Sequence, residues 1–144
     1  MKNYFIILFS SLLLTSCLFG DNPSESTNLT KDFWLNWFEN KTNQSIICSE
    51  NGNNGHIVID ETVFAVGFNN DFIIAKHRPK IENDSIKKKE IINYYIIDIR
   101  NYERGNSKSY DVHLLTEKGY QIMRNYLKVP KDLTFTIITN PQNK

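Results

Sequence analysis

The sequence contains little cysteine and no excess of charge of either sign. Its 144 residues include two cysteines, which are too few for a disulfide-stabilised scaffold. Lysine and arginine number 17 against 16 aspartates and glutamates, so no basic surplus draws the chain to nucleic acid. Only one long apolar run is present, which excludes a protein that crosses a membrane several times. We therefore expect one domain of ordinary size and no nucleic-acid partner.

The apolar run lies at the start of the chain. Lys2 supplies a positive charge, and residues 4–14 are apolar except for Ser10 and Ser11. A core of this length is too short to cross about 30 Å of hydrocarbon comfortably, and it is typical of a secretory signal peptide. The run ends in Leu14-Thr15-Ser16-Cys17.

The segment from Leu14 to Cys17 resembles the lipobox of bacterial lipoprotein precursors, in which an apolar residue and two small residues precede a cysteine. The resemblance implies cleavage before Cys17 and attachment of lipid to the sulfur and the amino group of that residue. The protein would then lie at the cell membrane or the outer membrane, on the exported side, and would contact the membrane through the lipid on Cys17. An ordinary signal peptide or an uncleaved anchor is the alternative interpretation.

Composition divides the chain into three parts. We predict a lipoprotein signal peptide over residues 1–16, a flexible tether over residues 17–31 and a single β-rich domain over residues 32–144. The tether is predicted because the residues beyond Phe19 are polar and hold glycine, proline, serine and threonine.

β-Branched and aromatic runs dominate the predicted domain and indicate strands. Strands are predicted at residues 33–38, 45–48, 57–59, 63–68, 72–77, 91–100, 110–115 and 133–139. For residues 32–40 a short helix is the alternative, because four aromatic residues also share helical spacing: Phe33, Trp34, Trp37 and Phe38. The connections are too short for repeated parallel crossovers, so we expect antiparallel pairing.

The best hairpin signal is Asn69-Asn70-Asp71, since asparagine and aspartate tolerate positive backbone φ in tight turns. The loop is either Asn69-Asn70 or Asn70-Asp71. Both registers produce the same nearly apolar face, which we predict to be core. Its predicted members are Phe64, Val66, Phe68, Ile73, Ala75 and His77.

One segment near the C-terminus has clear helical periodicity. Thr116 is suited to cap the start of this helix, and Pro130 is suited to end it. At about 100° per residue, the apolar side of the helix consists of Tyr120, Ile122, Met123, Tyr126 and Leu127. The predicted fold class is therefore α+β, a mostly antiparallel β-sheet with one C-terminal amphipathic helix packed on it.

Three segments of the domain carry a second resemblance. They are the run from Val63 to Pro79, the run from Tyr94 to Asp98 and Leu115-Thr116-Glu117. These segments resemble a family of small uncharacterised bacterial lipoproteins whose shared domain has no assigned function. The resemblance implies one domain and the same localisation, and it adds no active-site residue.

Few side chains carry chemistry that suggests a site. Cys48 is the only thiol left after lipidation of Cys17, and we predict a small buried residue there and not a nucleophile. The histidines lack the spacing of a zinc site, so we expect no metal, no cofactor and no catalytic residue. Asp84-Ser85-Ile86 matches an acceptor pattern for O-glycosylation, which makes Ser85 a candidate for modification. Candidates for stacking on sugars or on a protein are Trp34, Trp37, Tyr94, Tyr102 and Tyr110.

These observations predict a lipid-anchored cell-envelope protein of unknown role, with a non-catalytic domain that binds a protein or a glycan. The alternative is an inhibitor or immunity-type lipoprotein that acts on an envelope enzyme. A third hypothesis is a small hydrolase whose site is assembled from distant residues.

Overall fold

The computed structural model describes residues 25–37, 43–52, 55–80, 91–106 and 108–139. These residues form one antiparallel sheet and one helix, which confirms the predicted α+β class. The sheet order is β1 to β7 in sequence, with β8 paired to β4. The elements are β1 (Glu25–Thr30), β2 (Phe33–Trp37), β3 (Gln44–Cys48), β4 (His56–Phe68), β5 (Phe72–His77), β6 (Asn93–Asp98), β7 (Asp111–Leu115), α1 (Glu117–Leu127) and β8 (Ile137–Ile138).

The first strand lies inside the segment predicted to be a flexible tether. β1 pairs with β2 along its length, and Leu29 within it is buried in the core. The tether prediction over residues 17–31 is therefore wrong for residues 25–30. This polar strand lacks the apolar alternation that marks a strand in a sequence, and its backbone pairing with β2 supplies the order instead. Residues 1–24 lie outside the described residues.

The sheet curls so that β2 approaches the chain that follows β6. Phe33 in β2 is fully buried, and its ring meets those of Tyr102 and Tyr110 edge to face, with centroids 5.2 and 5.1 Å away. The strand at residues 33–37 confirms the strand prediction over the helical alternative. The inner core contains Leu29, Phe33, Leu35, Ile46, Cys48, Ile59, Val63, Val66, Ile73, Ala75, Ile97 and Ile99.

The predicted hairpin connects β4 to β5, with its loop at Asn70-Asp71. The Oδ1 atom of Asn69 accepts hydrogen bonds from the backbone N–H groups of Asp71 and Phe72, at 2.9 and 2.8 Å. This side chain therefore fixes the turn, as asparagine commonly does.

A bulge in β4 changes the predicted core face. Val63 and Ala65 pair with successive residues of β5, which leaves Phe64 as an extra residue between them. Val63 is consequently buried, whereas Phe64 is partly buried with its ring 4.6 Å from the guanidinium carbon of Arg78. The prediction that Phe64 lies on the core face is wrong, because the bulge shifts the alternation of side chains. The other predicted members of the face are buried or partly buried: Val66, Phe68, Ile73, Ala75 and His77.

Helix α1 packs on the face of the sheet that is opposite the inner core. Thr116 caps it as predicted, since its side chain accepts a hydrogen bond from the backbone N–H of Gly119 at 3.2 Å. Tyr120 is buried, but Ile122 and Tyr126 are 61% and 78% exposed, so the docked stripe is narrower than the predicted apolar side. The cluster beneath the helix contains Phe72, Ile74, Tyr94, Ile96, Tyr120, Val129 and Leu133.

The segment after α1 crosses β4 at very close range. A Cβ atom added at Gly67 would lie 2.0 Å from the carbonyl oxygen of Thr134, so only glycine fits there. β8 then pairs with the second half of β4, while β3 pairs with the first half. The strand predicted over residues 133–139 is shortened to two residues.

Candidate functional site

A pocket of about 140 Å³ lies where the end of β3 meets the loop after β6. β3 brings Cys48 to this pocket, and β4 brings His56, which pairs with Cys48 across the two strands. The lining offers a thiol, an imidazole, a carboxylate, a carboxamide and two hydroxyl groups. The lining residues are Cys48, Ser49, Glu50, His56, Tyr102, Gly105 and Asn106.

Tyr102 connects Cys48 to the ion pair of Asp32 and Arg104, in which Asp32 is buried and Arg104 is exposed. Its hydroxyl oxygen lies 3.6 Å from Cys48 Sγ, and the hydroxyl donates a hydrogen bond to Asp32 Oδ2 at 2.8 Å. The side chain of Asp32 is 5% exposed and also accepts hydrogen bonds from Arg104 Nη2 and Nε, at 2.8 and 3.0 Å. This bidentate pair and the tyrosine together satisfy the buried carboxylate.

The imidazole of His56 is paired with Tyr110 and not with the thiol. His56 Nε2 and the Tyr110 hydroxyl form a hydrogen bond, and the two rings are nearly parallel, with centroids 6.1 Å apart. Among the residues that the structure describes, no hydrogen bond joins this imidazole to Cys48. The two side chains share the pocket without forming a nucleophile–base pair.

The surroundings of Cys48 favour its neutral form. Burial raises the pKa of the Cys48 thiol; the hydrogen bond with Tyr102 opposes the rise, and the charge of Asp32 adds to it. Burial also raises the pKa of the Tyr102 phenol, as do its contacts with Cys48 and Asp32. A cysteine nucleophile reacts as the thiolate, which a nearby base or cation must stabilise. The predicted burial of Cys48 is confirmed, and the arrangement suits hydrogen bonding to a ligand better than attack on one.

Residues 30–139 match the family described as "Protein of unknown function (DUF3997)". The chain belongs to this family. No curated protein and no solved structure matches the chain. Membership agrees with the predicted resemblance to a domain that has no assigned function, and the matched span contains Asp32, Cys48, Tyr102 and Arg104.

The histidines of this DUF3997 domain lie on three different strands. His56 lies on β4 and His113 on β7, and the Nε2 of His77 on β5 is 2.8 Å from the carbonyl oxygen of Glu61. Within the described ranges, no three histidine, cysteine, aspartate or glutamate side chains are placed to hold a metal ion. The described part of the chain also contains no helix long and apolar enough to span a membrane.

The structure brings two of the aromatic candidates to the Cys48 pocket. Tyr102 lines the pocket, and Tyr110 forms a hydrogen bond with His56, which also lines it. Tyr94 is instead buried under α1, and Trp34 is partly buried, with its Nε1 donating to the carbonyl oxygen of Ser49 at 2.8 Å. Ser85 and Cys17 lie outside the described residues.

The sequence predicted neither Glu50 and Asn106 at the rim of the pocket nor the two residues of the ion pair that holds Tyr102 beside it. Asp32 and Arg104 are 72 residues apart and belong to no recognisable motif. Only the curl of the sheet brings the turn before β2 beside the loop after β6. No local pattern in the sequence marks this pairing.

Proposed function

We propose that this DUF3997 protein is a lipid-anchored cell-envelope protein whose β-rich domain is a non-catalytic binding module. The observation that carries the proposal is the order of Lys2, the apolar residues 4–14 and the lipobox-like segment ending at Cys17. Acyl chains contribute about 0.8 kcal/mol for each buried CH₂ group, so two or three chains on one cysteine would hold the domain durably at a membrane.

The anchor and the folded domain would lie close together. β1 begins at Glu25, eight positions after Cys17. An extended chain spans at most about 3.6 Å per residue, so β1 would start within roughly 30 Å of the acylated residue. The proposed partner is therefore a protein or a glycan in the layer next to the membrane.

The chemistry of the Cys48 pocket supports binding without catalysis. The thiol is held neutral, and the carboxylate of Asp32 is fully engaged by Tyr102 and Arg104. Glu50 and Asn106 at the rim are exposed. The carboxylate of Glu50 can accept hydrogen bonds from a bound partner, and the carboxamide of Asn106 can both accept and donate them. Binding through such a rim requires no activated group.

Photo-crosslinking in intact cells tests the binding role. A photoreactive amino acid replaces Asn106 at the pocket rim in one version of the full chain, and the exposed Gln121 of α1 in the matched control. We expect a discrete adduct from position 106 and none from position 121. Equal adducts from the two positions, or none from position 106, would contradict binding at the pocket.

The identity of the adduct separates the two binding hypotheses. An envelope enzyme that loses activity when the purified chain is added would favour the inhibitor or immunity-type alternative. Turnover of a substrate that depends on Cys48 would instead contradict a non-catalytic role.

A further inference from the structure

A second pocket, of about 280 Å³, lies between β2, β3 and the first half of β4. Among the described residues, it shares no lining residue with the Cys48 pocket. Its walls include Asn36, Ser45, Ile47, Ile57, Asp60 and Glu61. The set combines one buried carboxamide, two carboxylates and two isoleucines.

A bulge in β4 forms one wall of this pocket. Between the pair Gln44–Val63 and the pair Ile46–Ile59, three residues of β4 oppose Ser45 alone. Such bulges interrupt the ladder and redirect side chains, and they are frequent beside binding sites. Both acids of the pocket, Asp60 and Glu61, belong to the bulged stretch. The bulge therefore places them opposite Ser45 of β3, which pairs with Asn36 of β2.

Asn36 contributes a buried acceptor that is not satisfied within the described chain. The residue is 6% exposed, and its Oδ1 atom accepts no hydrogen bond from any described residue. Buried polar atoms in folded proteins nearly always have a partner. Because Asn36 lines the pocket, a donor supplied from the pocket would satisfy this oxygen.

The charge of the pocket is negative. Glu61 pairs with Lys80, but no described cation pairs with Asp60, whose Oδ1 accepts only the backbone N–H of Glu61 at 2.8 Å. No lysine, arginine or histidine is among the described residues that line the pocket. Lys80 bonds to Glu61, and its charge also acts on Asp60, so one lysine is set against two carboxylates. The pocket therefore offers acceptors and a net negative charge to a ligand that donates hydrogen bonds and carries positive charge.

We propose that this pocket binds a primary alkylammonium group. The ammonium donates hydrogen bonds to Asn36 Oδ1 and to the carboxylate of Asp60, while its alkyl stem packs on Ile57, which is 61% exposed beside the buried Ile47. A calcium ion suits the pocket less well, since it requires six to eight oxygen ligands.

The same ammonium chemistry is presented by a lysine side chain of a partner and by a free diamine. The proposal goes beyond the binding role proposed above, since it concerns a separate pocket. It depends on neither the lipid on Cys17 nor the Cys48 pocket.

Titration calorimetry of the full-length chain in detergent micelles tests the proposal with two probes. Cadaverine represents a free diamine, and N-acetyl-lysinamide represents a lysine side chain. We expect saturable binding of at least one probe and none of pentanol, which lacks the charge. Tighter binding of cadaverine would indicate that the ligand is a free diamine, and tighter binding of N-acetyl-lysinamide would indicate a lysine side chain of a partner.

Variants locate the binding. Asn36→Leu removes the buried acceptor and should weaken binding about tenfold or more. Asp60→Asn changes an exposed residue, so folding should be retained, and it should weaken binding about threefold. Asp111→Asn removes an exposed charge of β7 that lies outside the pocket, and it should leave the affinity unchanged.

The proposal is overturned if neither amine binds, if pentanol binds equally, or if Asp60→Asn binds with the affinity of the unmodified chain. None of these results would alter lipid labelling of Cys17 or crosslinking from position 106. Failure of the amine site is thus distinguishable from failure of the proposed function.

Discussion

The hydroxyl of Tyr102 donates a hydrogen bond to Asp32 Oδ2 at 2.8 Å and so joins two parts of the chain that are 70 residues apart in sequence. Asp32 lies in the turn before β2, and Tyr102 lies in the loop after β6. These two strands are not neighbours in the sheet, so side chains rather than a backbone ladder connect them.

Replacing Tyr102 with phenylalanine tests this connection. The change leaves the buried Asp32 carboxylate without one of its donors, which should lower the free energy of unfolding by about 1–3 kcal/mol. Urea unfolding measures the loss. Tyr126→Phe is the matched control, because Tyr126 is 78% exposed and its midpoint should not change. Equal midpoints for both variants would show that the Tyr102 hydroxyl stabilises nothing.

Two phenylalanines test the bulge in β4. Phe33 is fully buried, and Phe33→Ala should cost about 3–5 kcal/mol. Phe64→Ala should cost less, on the order of 1 kcal/mol, because the bulge leaves this ring partly buried against Arg78. Denaturant unfolding of both variants measures the two losses of unfolding free energy. A larger loss from Phe64→Ala would place that ring in the core and contradict the observed register.

Local signals explain what the sequence could predict about the fold. The turn at Asn69 to Asp71 and the helix capped by Thr116 follow from short-range chemistry, and both are present. The bulge at Phe64 depends on how β4 fits between β3, β5 and β8, which no residue pattern reveals. β1 escaped prediction because its pairing with β2 depends on backbone groups that every residue carries.

The candidate site could be predicted only in part. Burial of Cys48 follows from its place in an apolar run, and Tyr102 was one of five aromatic candidates. The partners that define their chemistry, Asp32 and Arg104, are contributed by separate turns. The contact between Asp32 and Arg104 depends on the curl of the whole sheet, so it follows from the tertiary structure and not from any local sequence pattern.

Acid titration should reveal the pair formed by Asp98 and Arg100. Burial opposes ionisation of Asp98, but the hydrogen bonds from Arg100 outweigh it and hold the pKa of Asp98 below its ordinary value. A carboxylate with a lowered folded-state pKa contributes stability above its unfolded pKa of about 3.9, and this is lost as the pH falls through the folded value.

Asp98→Asn should therefore remove part of the loss of stability at acid pH. The part removed should be less than about 1 kcal/mol, since the Arg100 side chain is 45% exposed and the ion pair is screened by water. Unfolding free energies between neutral and acid pH measure the effect. Asp132→Asn, at an exposed position, is the control and should keep the original profile. An unchanged acid profile in Asp98→Asn would contradict the lowered pKa.

Cys48 should react slowly with iodoacetamide in the native protein at neutral pH. Burial and the raised pKa both reduce the concentration of reachable thiolate. Peptide mass spectrometry reports the modification of Cys48 itself, and the same protein in urea provides the fast reference. Modification of the native protein as fast as that of the unfolded protein would contradict a neutral, buried thiol.

Metabolic labelling with an alkyne-tagged fatty acid, followed by mass analysis of the N-terminal peptide, tests the lipid anchor most directly. We expect a mature chain that begins at an acylated Cys17 and fractionates with membranes. We expect the Cys17→Ser variant to take up no label and to remain uncleaved at that position. Label on the Cys17→Ser variant, or cleavage of the unmodified chain elsewhere with release into the soluble fraction, would contradict the lipid anchor.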